Sequence, residues 1–387
     1  MKANKYIYRL LPVLFIIILS IGCIDKFEAN ITHNKDVSLV IEGNIISDSV
    51  VVFQLSRTLP IKETPGNSDE FFTFMDVEAE VSVKGSDGSC WKGIHLGKGE
   101  YSVAIGTLQA DKEYSLEVVC DGATYTSIPQ QPLKASGIES VDYAQPDPEG
   151  PVELKVTTQL NNSDEIQYHL WLFKEDWEVR AAHHSKYWFD YETGMILNMG
   201  YPKYAQGWCY KISEQFIAAS TASLVENRWV DRLLHTIASD DHRISCLYSF
   251  RLYQRNMTKK EYEYYQIRIK SNEEMGGLFT PQSSELPTNI TCSDPDRKVI
   301  GYIGCNLSVD YRQVYISFND INYTYETAIQ CAETSEGTPY DNWVAGKQVT
   351  RTEHGVFWAD LKCVDVRYWG ANPDGRPEWW PNPYLYK

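Results

Sequence analysis

The run ISCLYSFRL, residues 244–252, carries an apolar side chain at every second position. These positions are Ile244, Cys246, Tyr248, Phe250 and Leu252. Successive side chains of a strand point to opposite faces, so this period of two predicts a half-buried β-strand. Shorter runs of the same kind recur on both sides of it, and we therefore expect a mainly β protein.

The chain upstream of residue 133 contains five short apolar runs separated by turn formers. The runs are residues 39–43, 50–55, 77–83, 101–105 and 114–119. Turn-forming sequences such as Gly85-Ser86-Asp87-Gly88 separate them, Asp121-Gly122 follows the last one, and no helical period intervenes. Strands at this spacing predict an immunoglobulin-like β-sandwich over residues 37–133.

Residues 138–387 have a different composition and predict a larger, mostly-β C-terminal domain. Ten of the eleven tryptophans lie beyond residue 170, so this region is rich in aromatic side chains. It also contains one clear helix, because Thr258 and Glu261 form a capping box and Gly276-Gly277 would end the helix. One face of that helix would carry Tyr262, Tyr265 and Ile269.

The N-terminus has the features of an export signal. Lys2, Lys5 and Arg9 precede an apolar run over residues 10–21 that is too short for a comfortable membrane span. Cys23 follows directly, and a cysteine at the cut site resembles the lipobox of bacterial lipoproteins, although Leu19 stands one place earlier than the usual leucine. We expect removal of residues 1–22, acylation of Cys23 (palmitate) and a tether over residues 23–36. The alternative is an ordinary cleaved signal with a core cysteine.

The charge of the chain limits its partners. The formal net charge of −16 becomes about −19 once the signal and its three basic residues are removed. A chain this acidic, with no basic stripe, is a poor partner for nucleic acid. Anionic lipid headgroups would also repel it, so membrane attachment should depend on acyl chains.

Eight cysteines remain after Cys23 is set aside: Cys90, Cys120, Cys209, Cys246, Cys292, Cys305, Cys331 and Cys363. An even number in an exported chain predicts disulfides, although the sequence does not choose among the pairings. Order along the chain makes neighbours the first guess, 90 with 120, 209 with 246, 292 with 305 and 331 with 363. No CxxC pair occurs, which argues against zinc ribbons and thioredoxin-like chemistry.

Motifs for catalysis or metal binding are absent from the sequence: there is no GxSxG elbow, HExxH, phosphate-binding glycine loop or EF-hand. His183-His184 could ligate a metal, but a solvated loop pair is the favoured interpretation. Asp240-Asp241-His242 could bind a cation through carboxylates, but a turn is favoured. We expect no metal, no cofactor and no enzymatic activity.

Residues 183–208 mix aromatic rings with His, Lys, Asp, Gly and Pro and lack clean periodicity. This absence of periodicity predicts a long loop with exposed aromatic rings. Long ordered loops are usually functional. Tryptophan and tyrosine faces stack on sugars and anchor protein interfaces, while the alternative is ordinary β-core. The predicted ligand- or partner-binding residues are Tyr187, Trp188, Tyr191, Tyr201, Tyr204 and Trp208.

Several segments resemble a known family. Leu39-Val40-Ile41-Glu42-Gly43-Asn44-Ile45, Gly276-Gly277-Leu278-Phe279 and Val299-Ile300-Gly301-Tyr302-Ile303 are similar to segments of uncharacterised lipoproteins from Bacteroidota-type bacteria, a DUF4249-like family of unknown function. That family ends in a Cys-x-Asp-Cys-Arg element, but Val366 replaces the second cysteine here. The resemblance therefore implies that Cys363 pairs elsewhere, with Cys331 as the first choice.

Members of the family usually sit beside TonB-dependent outer-membrane transporters. The resemblance implies an outer-membrane lipoprotein, exposed at the cell surface, that acts as a non-catalytic accessory or ligand-binding subunit of such a β-barrel transporter in nutrient uptake. The ligand could be a small molecule, a glycan or a peptide. The alternatives are a structural or assembly factor for outer-membrane proteins and, less favoured, a glycan or peptide hydrolase.

Overall fold

The computed structural model of the protein describes residues 38–58, 76–160, 165–212, 216–274, 286–323 and 331–381. Ser38–Lys387 forms one unit. The predicted signal, Cys23, the tether and Gly276-Gly277 lie outside the described residues. The predicted mainly β class is confirmed, with twenty-two strands and two α-helices in the described ranges.

Ten strands form the first sheet. They are β1 Leu39–Ile46, β2 Val50–Arg57, β3 Glu80–Gly85, β4 Cys90–Gly97, β5 Glu100–Ala104, β6 Tyr114–Cys120, β7 Ala123–Ser127, β17 Ile290–Cys292, β18 Val299–Ile300 and β19 Ile303–Asn306. Their order is β17-β7-β6-β3-β4-β5-β2-β1-β18, and β19 pairs with β1 in parallel. Alternating residues of these strands bury one core, in which Ile41, Phe53, Val83 and Val103 are fully enclosed.

Strands β17–β19 come from residues 290–306, which the sequence assigned to the C-terminal region. In the structure they extend and complete the first sheet, because β17 pairs with β7 while β18 and β19 pair with β1. Gly301 lies between β18 and β19 with φ of +127°, a conformation that favours glycine. The immunoglobulin-like assignment of residues 37–133 stays a prediction.

The remaining strands build four smaller sheets. They are β8 Ile138–Ala144, β9 Val152–Thr158, β10 Tyr168–Arg180, β11 Tyr187–Asp190, β12 Met195–Asn198, β13 Gln206–Ile212, β14 Ile217–Ser220, β15 Arg232–Ile237, β16 Leu247–Asn256, β20 Asp310–Ser317, β21 Lys347–Arg351 and β22 Phe357–Asp360. The orders are β13-β10-β16-β20 with β14 also on β10, then β15-β9-β8, β11-β12 and β21-β22. The helices are α1 Lys259–Glu274 and α2 Pro339–Val344.

The strand predicted from residues 244–252 is confirmed as β16, with two differences. It begins at Leu247, because Ile244 belongs to a 3₁₀ turn that the Asp241 side chain caps through the Arg243 N–H. It is also buried on both faces, since Ser249 is as enclosed as Phe250. The second face is covered in part by the C-terminal segment, where the Trp379 ring lies 4.6 Å from the Arg251 guanidinium, and by Gln313, whose side-chain amide donates to the Ser249 hydroxyl at 2.9 Å.

The predicted helix is confirmed as α1. The hydroxyl of Thr258 accepts the Glu261 N–H at 3.2 Å, as a capping residue should. The Glu261 carboxylate is buried and lies 2.6 Å from Arg255, so its partner is an arginine of β16. Neither helix in the described ranges is long and apolar enough to cross a membrane.

Candidate functional site: an exposed aromatic platform

Residues 187–198 form a β-hairpin, which corrects the prediction of a long loop. The Asp190 carboxylate accepts hydrogen bonds from the Glu192 N–H at 3.1 Å and the Thr193 hydroxyl at 2.7 Å. Gly194 adopts φ of +68° and donates its N–H to the Asp190 carbonyl. The turn is therefore held by local polar contacts, and the hydrophobic period missed it because the strands are only four residues long.

The hairpin is fixed to the body of the protein by a buried amide. The Phe189 N–H donates to the Gln348 side-chain oxygen at 2.8 Å, and Gln348 is almost completely enclosed. The Phe189 ring meets Trp358 edge-on at 5.6 Å beside Val349. These contacts hold the hairpin against β21 and β22, so its turn has a defined position.

The short helix α2 lies next to this turn. Thr338 and Asp341 form a reciprocal capping box, and Pro339 occupies the first helical turn. Hydrogen bonds from the Thr338 side chain and backbone hold the pKa of Asp341 below its usual range. The helix carries Tyr340 and Trp343 three residues apart, which places both on one side.

Three exposed rings meet where the hairpin turn and α2 come together. The Tyr191 ring stacks on Trp343 with 4.0 Å between centroids and 11° between planes. Tyr340 lies 6.1 Å from Tyr191 and 6.4 Å from Trp343. The exposed fractions are 50% for Tyr191, 56% for Tyr340 and 38% for Trp343. We call these three residues the aromatic platform, and clustered exposed rings of this kind mark recognition surfaces.

The six rings predicted from the sequence do not form one group. Tyr191 and Tyr201 are exposed, and only Tyr191 belongs to the platform. Tyr187 packs beside the small core around Phe189. Trp208 lies half-buried on β13, where its backbone bridges to Asn372. Tyr340 and Trp343 were not predicted from the sequence, although a Thr-Pro-x-Asp helix start with aromatic rings three residues apart could have indicated them.

Trp188 and Tyr204 belong to a separate cluster around Arg367. The guanidinium of Arg367 lies 3.6 Å from the Tyr204 ring centroid and 5.2 Å from that of Trp188. It also donates two hydrogen bonds to Asp365, at 2.7 and 3.0 Å. This bidentate pair raises the pKa of Arg367. The cluster joins the hairpin base to the C-terminal segment, so these rings have a structural role.

Cys331 and Cys363 form a disulfide, which confirms that predicted pair. The other six cysteines in the described ranges are free. Strand β3 separates Cys90 from Cys120, and β10 separates Cys209 from Cys246. Strands two places apart lie about 9–10 Å from each other, whereas a disulfide needs Cα atoms within about 7 Å.

The remaining neighbouring pair is also absent from the structure. Cys292 lies on β17 opposite Tyr125, whereas Cys305 lies on β19 opposite Ile45. Burial raises the pKa of Cys305 to about 12 and that of Cys246 to about 11. Both thiols therefore stay protonated and unreactive at neutral pH.

The metal candidates have other partners. A ring nitrogen of His183 lies 2.7 Å from the Cys331 carbonyl, and its other nitrogen lies 3.9 Å from Glu333. The Asp241 carboxylate accepts hydrogen bonds from Arg243 at 2.7 and 3.0 Å. In the part of the chain that the structure describes, no group of three His, Cys, Asp or Glu side chains could hold a metal ion.

Fold and site together define a mainly β protein with an exposed cluster of three aromatic rings. A family profile described as a domain of unknown function, DUF4249, matches residues 24–312, which is most of the chain. The chain belongs to this family. No curated protein matches it in sequence.

Proposed function

We propose that the protein is an outer-membrane lipoprotein, anchored at the cell surface through Cys23, that serves as a non-catalytic ligand-binding or accessory subunit of a TonB-dependent transporter. The observation that carries the binding role is the aromatic platform. The partner class comes from the family resemblance.

The platform has the physical properties of a binding surface. Aromatic side chains lose little conformational entropy on binding and contribute a large apolar area. Stacking between Tyr191 and Trp343 already fixes their rings, which lowers the entropy cost of binding further. Interface hot spots are enriched in tryptophan and tyrosine for these reasons. Such a surface suits a sugar ring, a peptide or the loops of a β-barrel.

The charge of the mature chain supports lipid anchoring. With about −19 formal charges, the protein gains no attraction to anionic headgroups, so acyl chains at Cys23 supply the membrane affinity. Stable anchoring needs more than one acyl chain, which the diacylated cysteine of a lipoprotein provides. Such a tether would keep the platform near a transporter in the same membrane.

The test is affinity capture of the tagged, full-length protein from cells after mild detergent extraction, followed by mass spectrometry. We expect one TonB-dependent barrel to co-purify. The double variant Tyr191→Ala/Trp343→Ala should lose that barrel, while Tyr201→Ala, an exposed tyrosine outside the platform, should retain it.

Three outcomes would contradict the proposal. Recovery of the wild-type lipoprotein alone would remove the transporter role. Capture of many unrelated barrels would favour an assembly factor instead. Equal capture by wild type and the double variant would show that the platform is not the contact surface.

A further inference from the structure

A second concave surface lies on the outer face of β10. Side chains of this strand alternate, so Trp171 and Phe173 enter the main C-terminal core while Leu170, Leu172 and Lys174 point to the other side. There they form the base of a cavity of about 280 Å³. We call this cavity the apolar groove.

The walls of the groove come from both halves of the protein. Leu172 is paired with Tyr253 of β16, and Leu170 is paired with Arg255. Ile46, at the end of β1, lines the groove from the first sheet. Val309, just before β20, also lines it. The lining therefore combines four aliphatic side chains with the Tyr253 ring, and Asn44, Lys174 and Arg255 supply its polar groups.

Two cations border this apolar surface, and in the described ranges only Arg255 forms an ion pair. Arg255 lies 2.6 Å from the buried Glu261 carboxylate and also donates to the Tyr265 hydroxyl. Lys174 forms no ion pair with any residue in the described ranges, and its ammonium lies 5.5 Å above the Tyr253 ring centroid. The nearby Asp176 carboxylate is already bound by Arg251 at 2.7 Å.

We propose that the apolar groove binds a small amphiphile with an aliphatic body and one anionic group, such as a medium-chain carboxylate. The aliphatic body would displace water from Leu172, Ile46 and Val309, which stabilises the complex in proportion to the apolar area removed from water. The anionic group would pair with Lys174 at the edge of the groove, where the ammonium lacks a carboxylate partner.

The size of the groove limits the ligand. Its volume lies just below the range of about 300–1,000 Å³ that is typical of drug-sized ligands, so a single short chain fits better than a lipid with two chains. This inference does not depend on the transporter role, because the groove and the aromatic platform share no residue.

The test is isothermal titration of the mature chain carrying Cys23→Ser, which needs no detergent, with decanoate below its micellar concentration. We expect saturable binding with one site. Lys174→Met should weaken decanoate binding about tenfold or more and leave decanol binding unchanged, because it removes only the charged contact. Lys92 is an exposed lysine on a strand outside the groove, so Lys92→Met is the matched control and should bind decanoate like the wild type.

A variant that fills the groove with a larger side chain provides a second test. Leu172→Trp should abolish binding of both decanoate and decanol, and thermal unfolding will show whether the variant is folded. If it is not, a decanoate analogue carrying a diazirine should crosslink within residues 170–174 of the unsubstituted groove. Absence of decanoate binding, equal binding by Lys174→Met, or equal affinity for decyltrimethylammonium would overturn the proposal.

Discussion

Tyr191 and Trp343 lie face to face, with their ring centroids 4.0 Å apart. Tyr191 comes from the turn of the β11–β12 hairpin, and Trp343 comes from α2, so two distant segments of the chain meet at the surface. Each segment is ordered by its own turn or cap, through Asp190 in one case and Asp341 in the other. The coupling free energy between these two rings therefore reports whether the aromatic platform is assembled.

A double-mutant cycle tests this stacking. Tyr191→Ala and Trp343→Ala should show a coupling free energy of about 0.5–1.5 kcal/mol in urea unfolding, the usual value for an aromatic pair. The matched cycle of Tyr201→Ala with Trp343→Ala should show none, because Tyr201 is exposed outside the platform. Coupling within error of zero in the first cycle would mean that the rings do not stack in solution.

Gly301→Ala should destabilise the protein strongly. A Cβ atom at this position would lie 1.9 Å from the Ile41 carbonyl oxygen, and φ is +127°. Both effects oppose a side chain, so we expect a loss of more than about 3 kcal/mol in the free energy of unfolding. Gly88→Ala is the control, since it also has a positive φ but meets nothing within 4 Å. Its cost should be about 1 kcal/mol.

The number of disulfides can be determined by counting the free thiols of the unfolded protein. Protein carrying Cys23→Ser, unfolded without reductant, should expose the six free thiols and no others. Four neighbouring disulfides would expose none. The double variant Cys331→Ala/Cys363→Ala should lose about 3–4 kcal/mol of stability, because the bond closes a loop with a separation of 32 residues. Cys90→Ser, at an exposed thiol, should change stability little.

His169 should make the protein less stable in mild acid. Burial lowers its pKa from 6.5 to about 4, so between these values the unfolded chain binds a proton that the folded chain does not. The contribution of His169 to the free energy of unfolding is fully present above pH 6.5. It falls as the pH drops and levels off below pH 4.

Between pH 7 and pH 5 the loss from His169 should be about 2 kcal/mol, measured as the free energy of unfolding in urea. His169→Gln should remove that part of the pH dependence. His184→Gln, at an exposed position, should leave it intact. Parallel pH profiles for wild type and His169→Gln would refute the assignment.

Arg367→Lys should weaken the joint between the hairpin base and the C-terminal segment. Lysine cannot reproduce both the bidentate bond to Asp365 and the stacking on Tyr204, so we expect a loss of about 1–2 kcal/mol in thermal or urea unfolding. Arg376→Lys, whose guanidinium contacts only the Pro381 carbonyl in the described ranges, should cost much less. Similar losses for the two variants would contradict the role given to Arg367.

Local patterns predicted much of the fold. The alternation around Phe250 predicted β16, and the Thr258 cap predicted α1, because both signals depend on neighbours in sequence. The pairing of residues 290–306 with the first sheet had no local signal, since strands of two to four residues show almost no periodicity. Burial of both faces of β16 was also hidden, because it depends on a segment distant in sequence, whose Trp379 packs over Arg251.

The site was predictable only in part for the same reason. Aromatic enrichment drew attention to Tyr191, which does lie on the platform. The stacking partner Trp343 comes from another segment, and no pattern in one stretch of sequence specifies a contact between two loops. Order along the chain and the family resemblance both gave the pair Cys331–Cys363, which is correct, but order alone gave three other pairs that the structure does not contain.

Strands β17–β19 impose an order on biogenesis. A chain that emerges from its N-terminus would present the unpaired backbone groups of β1 and β7 until Asn306 has also emerged. Open strand edges invite pairing with other chains, and contacts this distant in sequence form slowly. The first sheet thus cannot close until residues 290–306 have emerged, and protection of its edges by a chaperone during that interval would favour correct assembly.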